Sequence, residues 1–565
     1  NTNVPESSGR DALVVHIAKE SAPVVAFGGV GQVVGEISRW QASDTNTTVA
    51  VILPHYGFID KWQKPETFAH FSFRLKHGTV HGKLYYLQRG EVSYFFVSSP
   101  SHMHDLWKST HVEDVYNLPR RLFSKVRSSD RDVYFSFLAA HVVSFLSRTK
   151  VSDKKSIIAH VHGATNAAAM FFLRASNEKF LSIIYTVHDY NVEPFISYDL
   201  EKILSYSKRS SYRNFRYFGK ERKLMNCDTE EPHKMRTKSF RGEKISSSEF
   251  AFCADIITTV SKGMIREIMQ KSEKYARLFT TYESRGRLMN VNNWIADETW
   301  KVSRKLVSYD EPSSGKKRAK RVLFKELSHF IYGQYTEISR TECIVLWIGR
   351  FEANKGVPLL PYMHVTACSA NCTLVVAGYA TTRSSRKSFA FVQRALNANA
   401  RRLSCPYFAF TTLVDQRFNP LIRAAADIVV IPSLSEAYGL VAAESLAFGS
   451  IPVVSAVGGL PEIIKPFEVR AFAAPSWNWS GFQFHSYGKR WELTGVSMQA
   501  SLKMATRMLW VAKQNGLIHS VQQNLIRSTP LARDSSRDAG VKVYDHLVAE
   551  LVALSHGTLD FPYPG

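Results

Sequence analysis

Two cations follow one apolar stretch in the second half of the sequence. Residues 343–349 have the composition of a buried strand, Arg350 comes directly after them, and Lys355-Gly356 follows five residues later. Arginine holds a diphosphate as a fork and lysine as a point charge. Because open α/β sheets bind ligands beyond the carboxyl ends of their strands, this pair predicts a diphosphate site. The simpler alternative is an exposed basic loop.

A second polar group lies further along, between two short apolar runs. Gly439 and Leu440 are predicted to open a helix whose free backbone N–H groups favour a phosphate. Glu436 precedes that helix, and Glu444 lies one or two turns into it, where a carboxylate can accept hydrogen bonds from a ribose. If both carboxylates served only the helix dipole, the surrounding glycines and the Pro432-Ser433 pair would have no explanation.

A glycine-rich turn near the start of the chain is a third candidate. Residues 12–18 read as a strand, and Gly28 and Gly29 follow it directly before a predicted helix. Such glycines let a ligand approach the backbone, and a helix N-terminus favours an anion. The spacing is not the G-x-G-x-x-G of dinucleotide-binding proteins. Tight packing of the strand against the helix explains the turn about as well.

The elements that must position these residues are short apolar runs alternating with helical stretches. Continuous apolar runs are typical of strands buried on both faces, and their alternation with helices predicts βαβ units. The predicted strands are 12–18, 48–54, 157–161, 183–187, 256–260, 343–349, 373–378, 428–432 and 451–454. The sequence therefore predicts an α/β protein with two Rossmann-like, doubly wound domains facing each other across a ligand cleft.

A chain of 565 residues is too long for one hydrophobic core. We expect a first domain over 1–300, a second over 326–535, and a helix and tail over 536–565 that pack back on the first. Residues 301–325 are predicted to be an exposed basic linker, and 205–244 a flexible, basic insertion in the first domain. That insertion is also the candidate contact with a membrane surface.

The net charge is +23, from 72 Lys and Arg against 49 Asp and Glu. This balance favours an anionic partner, although a solvated basic surface also accounts for it. No nucleic-acid recognition motif accompanies the charge, so we expect no nucleic-acid partner. No apolar run approaches the roughly 18 residues that cross a bilayer.

Six cysteines are few and scattered for this length, which predicts free thiols in a reducing compartment and hence a cytoplasmic protein. Cys368 and Cys372 have C-x₃-C spacing, but no second Cys/His pair completes a zinc site, so no metal is expected.

Taken in order, these patterns resemble the starch and glycogen synthases, the family-5 retaining glycosyltransferases of the GT-B fold. The resemblance spans roughly residues 11–555 and is best in the second half, where the spaced glutamates also resemble the related family-4 transferases. The motifs are His16-Ile-Ala-Lys-Glu-Ser-Ala-Pro with Gly28-Gly29-Val30-Gly31; His160-Val-His162-Gly-Ala-Thr; Thr186-Val-His188-Asp189; Ala254-Asp255-Ile-Ile-Thr-Thr-Val-Ser261; Asn293 with Trp300; Gly349-Arg350-Phe with Lys355-Gly356; and the stretch from Glu436 to Glu462.

The resemblance implies transfer of glucose from ADP- or UDP-glucose to the non-reducing end of an α-glucan, without metal or cofactor. It implies that Arg350 and Lys355 hold the donor diphosphate, and that Glu436 contacts the sugar and Glu444 the ribose. The remaining implied site residues contact the transferred sugar (His188) or the donor: Gly28, Gly29, Asn293, Tyr438, Gly439 and Leu440.

The sequence departs from the family at four positions, all in the first half. Ala26 replaces a lysine, Gln32 and Gly163 each replace an aspartate, and the family's Asn-Gly-x-Asp segment ends here at Ala296. Two alternatives to a glucan synthase therefore stand beside it. One is a family-4-like hexosyltransferase with a different acceptor, and the other is an inactive glucan-binding or scaffold homologue.

Overall fold

A computed structural model describes most of the chain as two compact units. Unit 1 comprises Asn1–Val260, Ile265–Asn292 and Ala539–Gly565, and unit 2 comprises Ser261–Met264 and Asn293–Asp538. The described residues are 12–44, 47–75, 78–99, 103, 106, 109, 115, 128–150, 156–176, 178, 180–190, 247–327, 343–380, 382–410, 418–467, 479–529, 544 and 547–552.

Unit 1 is built on a nine-stranded sheet in the order β3-β4-β5-β2-β1-β6-β7-β8-β9. Its strands are β1 (Ala12–Ile17), β2 (Thr47–Pro54), β3 (Glu66–Leu75), β4 (Gly78–Arg89), β5 (Val92–Ser98), β6 (Ser156–His162), β7 (Leu181–Val187), β8 (Ile256–Thr259) and β9 (Leu288–Asn290). The pairs β3–β4 and β4–β5 are antiparallel, and the other neighbours are parallel.

Helices flank this sheet and cover its apolar strands. They are α1 (Gly29–Asp44), α2 (Gly57–Trp62), α3 (Ser128–Lys150), α4 (Ala168–Ala175), α5 (Ser247–Ala251), α6 (Lys262–Lys271), whose first turn belongs to unit 2, and α7 (Glu273–Ser284). Every residue of β1 and β6 is buried, which is why both read as continuous apolar runs.

Unit 2 is built on a six-stranded parallel sheet in the order β12-β11-β10-β13-β14-β15. Its strands are β10 (Ile344–Arg350), β11 (Thr373–Tyr379), β12 (Tyr407–Phe410), β13 (Ile428–Ile431), β14 (Ile451–Ser455) and β15 (Phe482–Phe484). Its helices are α8 (Asp297–Leu306), α9 (Pro312–Leu327), α10 (Leu360–Ser369), α11 (Arg383–Leu403), α12 (Phe418–Ala425), α13 (Leu440–Ala447), α14 (Leu460–Ile463), α15 (Trp491–Gln514) and α16 (Ile518–Arg527).

The α/β class and all nine predicted strands are confirmed, with ends shifted by one or two residues. The strands that the sequence did not predict are β3, β4, β5, β9, β12 and β15. Three of these, β3 to β5, form the antiparallel edge of the unit 1 sheet. In β3, polar and apolar side chains are mixed because that strand is partly exposed, so it lacks the continuous apolar run.

Residues 301–325, predicted to be an exposed linker, are instead largely helical and belong to unit 2. Lys316 on α9 is only 2% exposed. Its ammonium donates to the hydroxyl of Ser450 at 2.9 Å and to the carbonyls of Ala424 and Ala426, the latter just beyond α12. In the sequence, this lysine stands in a run of cations that predicts exposure. In the structure, it packs α9 against the end of α12. Burial lowers the pKa of Lys316 to about 7.

The prediction of free thiols is wrong for four cysteines. Cys343 is joined to Cys372, and Cys368 to Cys405, both within unit 2. Since Cys368 and Cys372 are in separate disulfides, neither offers a thiolate to a metal. The expectation of a cytoplasmic protein loses the support that free thiols would have lent it.

The predictions for the basic insertion and for the C-terminal segment have different outcomes. The basic insertion 205–244 lies outside the described residues, so its contact with a membrane stays a prediction. Residues 539–565 group with unit 1, where the ring of Tyr544 lies 5.4 Å from that of His160. Among the helices of the described ranges, none is long and apolar enough to cross a membrane.

Candidate functional site

The predicted phosphate cations lie at the carboxyl end of β10. Arg350 is the last residue of that strand, and its guanidinium lies 3.6 Å from the Glu352 carboxylate with much of the side chain exposed. The chain then makes a tight turn over Ala353–Lys355. Arg350 therefore lies at, and Lys355 just beyond, the carboxyl end of a central parallel strand, as the sequence predicted.

Lys355 and Glu436 form an ion pair although they are far apart in the sequence. The ammonium of Lys355 lies 2.6 Å from one carboxylate oxygen of Glu436, and the hydroxyl of Ser433 donates to the same oxygen at 3.0 Å. The two side chains keep 23% and 18% of their surface exposed, so the pair stays reachable from solvent. The structure thus brings together a cation and a carboxylate that the sequence assigned to neighbouring parts of one ligand.

Two contacts hold the Lys355 turn in place. The backbone N–H of Leu434 donates to the Asn354 carbonyl at 2.8 Å, and the indole N–H of Trp347 donates to the Lys355 carbonyl at 3.1 Å. Gly356, at φ +72°, completes the turn, and a Cβ there would lie 2.1 Å from the Pro432 carbonyl oxygen. Only glycine fits both this backbone conformation and this close approach.

The N-terminus of α13 is formed by Gly439, at φ +110°. No side chain of the described residues caps this end, so its first N–H groups remain available to an anion. A Cβ on Gly439 would lie 2.5 Å from a methyl group of Leu460. Tyr438, a predicted donor contact, is buried, with only 3% of the residue exposed.

The loop that precedes α13 is also stabilised by a segment that the sequence did not assign to this site. The hydroxyl of Ser261 donates to the Ala437 carbonyl at 2.5 Å, and the N–H of Gly263 donates to the Glu462 carboxylate at 2.6 Å. A Cβ on Gly263 would lie 1.9 Å from the Gly458 carbonyl oxygen. Ser261 stood within a recognised motif, but nothing in its spacing indicated this partner.

Glu444, the candidate ribose ligand, is paired with Arg423. One carboxylate oxygen lies 2.6 Å from the guanidinium, and both side chains are mostly buried. Burial raises the pKa of Glu444, and the contact with Arg423 opposes that rise. Arg423 was missed because nothing in the sequence around it indicates that it pairs with Glu444. Asn293, the other candidate donor contact, is half-buried in unit 2.

In unit 1, backbone N–H groups of the glycine-rich loop already donate to a carboxylate of the protein itself, the side chain of Glu20. One oxygen of the Glu20 carboxylate accepts from the backbone N–H of Phe27 at 2.6 Å and of Gly28 at 3.0 Å. Glu20 is 1% exposed, and a Cβ on Gly31 would lie 2.8 Å from the same carboxylate oxygen. The Gly28 amide is therefore engaged before any donor arrives, whereas Gly29 stays exposed at the start of α1.

Four buried histidines lie together on one face of the unit 1 sheet. Parallel register puts His16 on β1 beside His160 on β6, with His162 two residues along and His188 just after β7. The imidazoles of His16 and His162 approach to 2.9 Å, as do those of His162 and His188, and the other nitrogen of His16 lies 2.8 Å from the Gln41 amide oxygen. The side chain of His188 is therefore held by residues that the sequence indicated only as parts of motifs.

Burial lowers the pKa of His16 and of His188 to about 4 and that of His160 and His162 well below its usual range. All four rings are therefore neutral at pH 7. One nitrogen each of His16, His160 and His162 fall within 4.8 Å of one another. Nitrogens 2.9 Å apart share a proton, however, and leave no room for an ion between them.

At three of the four positions where the sequence departs from the family, the structure shows what surrounds the residue. Gly163, in place of the family's aspartate, has φ +75° with open space where a Cβ would stand. Gln32 is exposed on α1, and Ala296 is a buried residue directly before α8. For Ala26, the structure shows only a half-buried position in the glycine-rich loop.

Comparison with known proteins agrees with the motif order. The model of the starch synthase catalytic domain matches residues 13–281, and that of glycosyl transferases group 1 matches residues 334–483. A glycogen synthase of Chlamydia pneumoniae is 24% identical over 467 residues, covering 80% of this chain and 86% of that protein. Glycogen synthase 1 of Synechococcus sp. (strain JA-2-3B'a(2-13)) is 25% identical over 465 residues, covering 80% and 84%.

Solved structures show the same fold. The catalytic domain of starch synthase IV from Arabidopsis thaliana, bound to ADP and acarbose, aligns with a TM-score of 0.69 at 18% identity, covering 96% of this chain and 99% of that one. A UDP-forming α,α-trehalose-phosphate synthase from Burkholderia vietnamiensis aligns with a TM-score of 0.52 at 13% identity, covering 96% and 99%.

Proposed function

The chain is a starch- and glycogen-synthase-like glycosyltransferase with the two-domain GT-B fold, and from that premise we propose its donor, acceptor and residue roles. It transfers glucose from ADP- or UDP-glucose to the non-reducing end of an α-glucan with retention of the anomeric configuration. The synthase IV structure holds ADP and acarbose, a nucleotide and an oligosaccharide analogue, which supports both halves of this assignment.

The observation that carries the proposal is the cluster at the carboxyl end of β10. Lys355 pairs with Glu436 at 2.6 Å, and the uncapped N-terminus of α13 follows Glu436 by a few residues. A diphosphate needs cations and backbone N–H groups, whereas a sugar needs hydrogen-bond acceptors such as a carboxylate. The loops that follow the neighbouring strands β10 and β13 together supply these groups.

In the proposed reaction, the bond between the sugar C1 and the diphosphate oxygen breaks and a bond to the acceptor hydroxyl forms on the same face. Arg350, Lys355 and the amides near Gly439 stabilise the negative charge that develops on the departing diphosphate. The diphosphate takes the acceptor's proton, so no protein carboxylate is required as a base. Because cations and a helix dipole supply the stabilisation, we propose that the reaction is independent of divalent metal.

The other roles that we propose are those that the family resemblance implies. His188 contacts the transferred sugar through Nδ1, which has no hydrogen-bond partner among the described residues. Glu436 accepts from the sugar hydroxyls once Lys355 turns toward the phosphate. Glu444 accepts from the ribose, and Arg423 opposes the rise in its pKa that burial causes. Asn293 and Gly29 contact the donor.

The test is donor-dependent transfer. Purified protein is given radiolabelled ADP-glucose or UDP-glucose with glycogen or maltooligosaccharides, with and without EDTA. We expect labelled, α-amylase-sensitive glucan and stoichiometric nucleotide release, unchanged by EDTA. Nucleotide release without transfer to any glucan would support a different acceptor. Absence of nucleotide binding by calorimetry would instead support an inactive homologue.

A further inference from the structure

The histidines of unit 1 form a continuous hydrogen-bonded chain that starts at a glutamine. Gln41 on α1 meets Nε2 of His16, Nδ1 of His16 meets Nε2 of His162, and Nδ1 of His162 meets Nε2 of His188. The three contacts measure 2.8, 2.9 and 2.9 Å. At the far end, Nδ1 of His188 has no hydrogen-bond partner among the described residues, although it is buried.

The arrangement determines where each proton lies. A neutral imidazole carries one N–H, so each ring donates from one nitrogen and accepts at the other. The Gln41 amide oxygen can only accept, and therefore Nε2 of His16 carries the proton. Nδ1 of His16 must then accept from His162, and Nδ1 of His162 must accept from His188. Nδ1 of His188 is left with a lone pair.

We propose that Gln41 selects the tautomer of His188 through His16 and His162, so that His188 presents an acceptor nitrogen to the sugar. Gln41, His16 and His162 are positioning residues in this scheme, because they act through His188. The link to the sugar rests on the function proposed above, whereas the tautomer itself does not.

The glutamine suits this role because its amide has two different ends. If the amide were rotated, its NH₂ group would donate to His16, and every bond in the chain would reverse. Nδ1 of His188 would then carry a proton and could only donate. Burial of Gln41 at 1% exposure removes water as a competing partner, so the chosen direction is transmitted over three rings.

His160 belongs to the same cluster but not to the chain. Its Nε2 lies 2.6 Å from the Thr186 hydroxyl, which in turn lies 2.6 Å from the Thr258 hydroxyl. A hydroxyl can both donate and accept, so it imposes no direction on His160. The directional information therefore enters at Gln41.

The first measurement uses the wild-type protein without substrate. Two-bond ¹H–¹⁵N correlation spectra of ¹⁵N-histidine-labelled protein report which nitrogen of each ring is protonated. We expect a single tautomer for His188, protonated at Nε2 and bare at Nδ1. A mixture of tautomers, or a proton on Nδ1, would overturn the proposal without reference to catalysis.

The second measurement compares Gln41→Met with wild type. Methionine keeps the length of the side chain and removes the acceptor, so both chain directions become accessible. We expect mixed tautomers at His188 and a roughly tenfold lower kcat with a donor KM within about twofold, as for loss of one hydrogen bond formed with the reacting sugar. His162→Leu, which removes both hydrogen-bonding nitrogens at the middle of the chain, should give the same two effects.

A matched control is Gln522→Met in unit 2. Gln522 is also a buried glutamine whose amide oxygen accepts one hydrogen bond, from the Ser313 hydroxyl at 2.7 Å. It should lower thermal stability as much as Gln41→Met and leave the His188 spectrum and kcat unchanged. If Gln41→Met kept a single His188 tautomer, or changed the tautomer and not kcat, the proposal would be wrong. A wild-type enzyme that transfers no sugar would refute the proposed function alone, because the spectra are recorded without substrate.

Discussion

At the scale of single residues, the charged groups of the candidate site are already paired before a ligand binds. Lys355 meets Glu436, Arg423 meets Glu444, and Glu20 accepts from two loop amides. Such pairs hold a side chain in one orientation, and in the proposed function the donor phosphate replaces the carboxylate beside Lys355. We infer that donor binding rearranges this pair, so that Glu436 and Lys355 separate toward the sugar and the phosphate.

Lys355→Ala should lower kcat/KM for the nucleotide sugar by about a hundredfold or more, because it removes a cation from the departing diphosphate and leaves Glu436 as an uncompensated negative charge. Steady-state kinetics with ADP-glucose and UDP-glucose measure the loss. Lys503→Ala, on the exposed side of α15, is the control and should behave as wild type. An unchanged kcat/KM in Lys355→Ala would remove the phosphate assignment.

The pH dependence of turnover should lack the inflection of an ordinary histidine. The pKa of His188 is lowered to about 4 by burial, so its ring is neutral at every pH above that value and gains a proton only below it. We expect the plot of kcat/KM against pH to show no inflection near pH 6.5 that His188 causes and that His188→Gln removes. Finding one would show that the ring is exposed to solvent in the working enzyme.

At the scale of elements, the site depends on two tight turns at the ends of parallel strands. Gly356 follows the Lys355 turn, and Gly439 opens α13. Both have positive φ and both approach a neighbour too closely for a Cβ. The chemistry of the site is therefore positioned by backbone geometry, which a side chain at either glycine would disturb.

Gly356→Ala should lower the free energy of unfolding and also weaken donor binding. A Cβ would be strained at φ +72° and would lie 2.1 Å from the Pro432 carbonyl oxygen, so the loop that carries Lys355 must move. We expect a loss of at least about 2 kcal/mol in unfolding free energy and a raised donor KM. Gly516→Ala is matched, because Gly516 has φ +69° with nothing near its Cβ position. Equal effects of the two variants on stability and KM would show that the Pro432 contact is unimportant.

Disulfides tie the amino ends of the unit 2 strands. Cys343 and Cys372 lie just before β10 and β11, and Cys405 lies just before β12 and is joined to Cys368 on α10. Replacing Cys343 and Cys372 by alanine should lower the unfolding free energy by about 2–4 kcal/mol. Mass spectrometry after alkylation of the native protein, without reductant, should find these four cysteines unmodified. Alkylation at all four would contradict the disulfides.

At the scale of the whole molecule, a basic protein with a net charge of +23 carries several buried neutral histidines in unit 1. Protonation of these rings in the fold is opposed by burial, whereas the unfolded chain takes up protons near pH 6.5. The unfolded state therefore binds more protons as the pH falls through 6.5 toward 4, and the folded state loses stability over that interval.

His16 and His188, each with a folded pKa of about 4, should each contribute about 2 kcal/mol to the loss of stability between pH 7.5 and pH 5. Urea unfolding at the two pH values measures it. In His188→Gln, the difference between the two pH values should shrink by about 2 kcal/mol. A difference that is the same in wild type and variant would show that His188 does not resist protonation in the fold.

Local sequence determined much of this protein. Continuous apolar runs identified nine strands, and glycines with flanking polar residues identified the turns that follow β10 and β13. Both signals depend on nearest neighbours in the chain: burial on two faces requires a continuous run, and positive φ requires glycine. The family motifs are local patterns as well, which is why their order alone indicated the GT-B fold.

Tertiary structure alone decided which distant groups meet. No periodicity indicates that Lys355 pairs with Glu436, that Glu20 occupies the amides of the glycine loop, or that Gln41 begins a chain of imidazoles ending at His188. Nor could spacing show that the scattered cysteines are paired or that Lys316 is buried. Hydrogen bonds and ion pairs act over a few ångströms, and only the order and register of the strands bring such residues within that range.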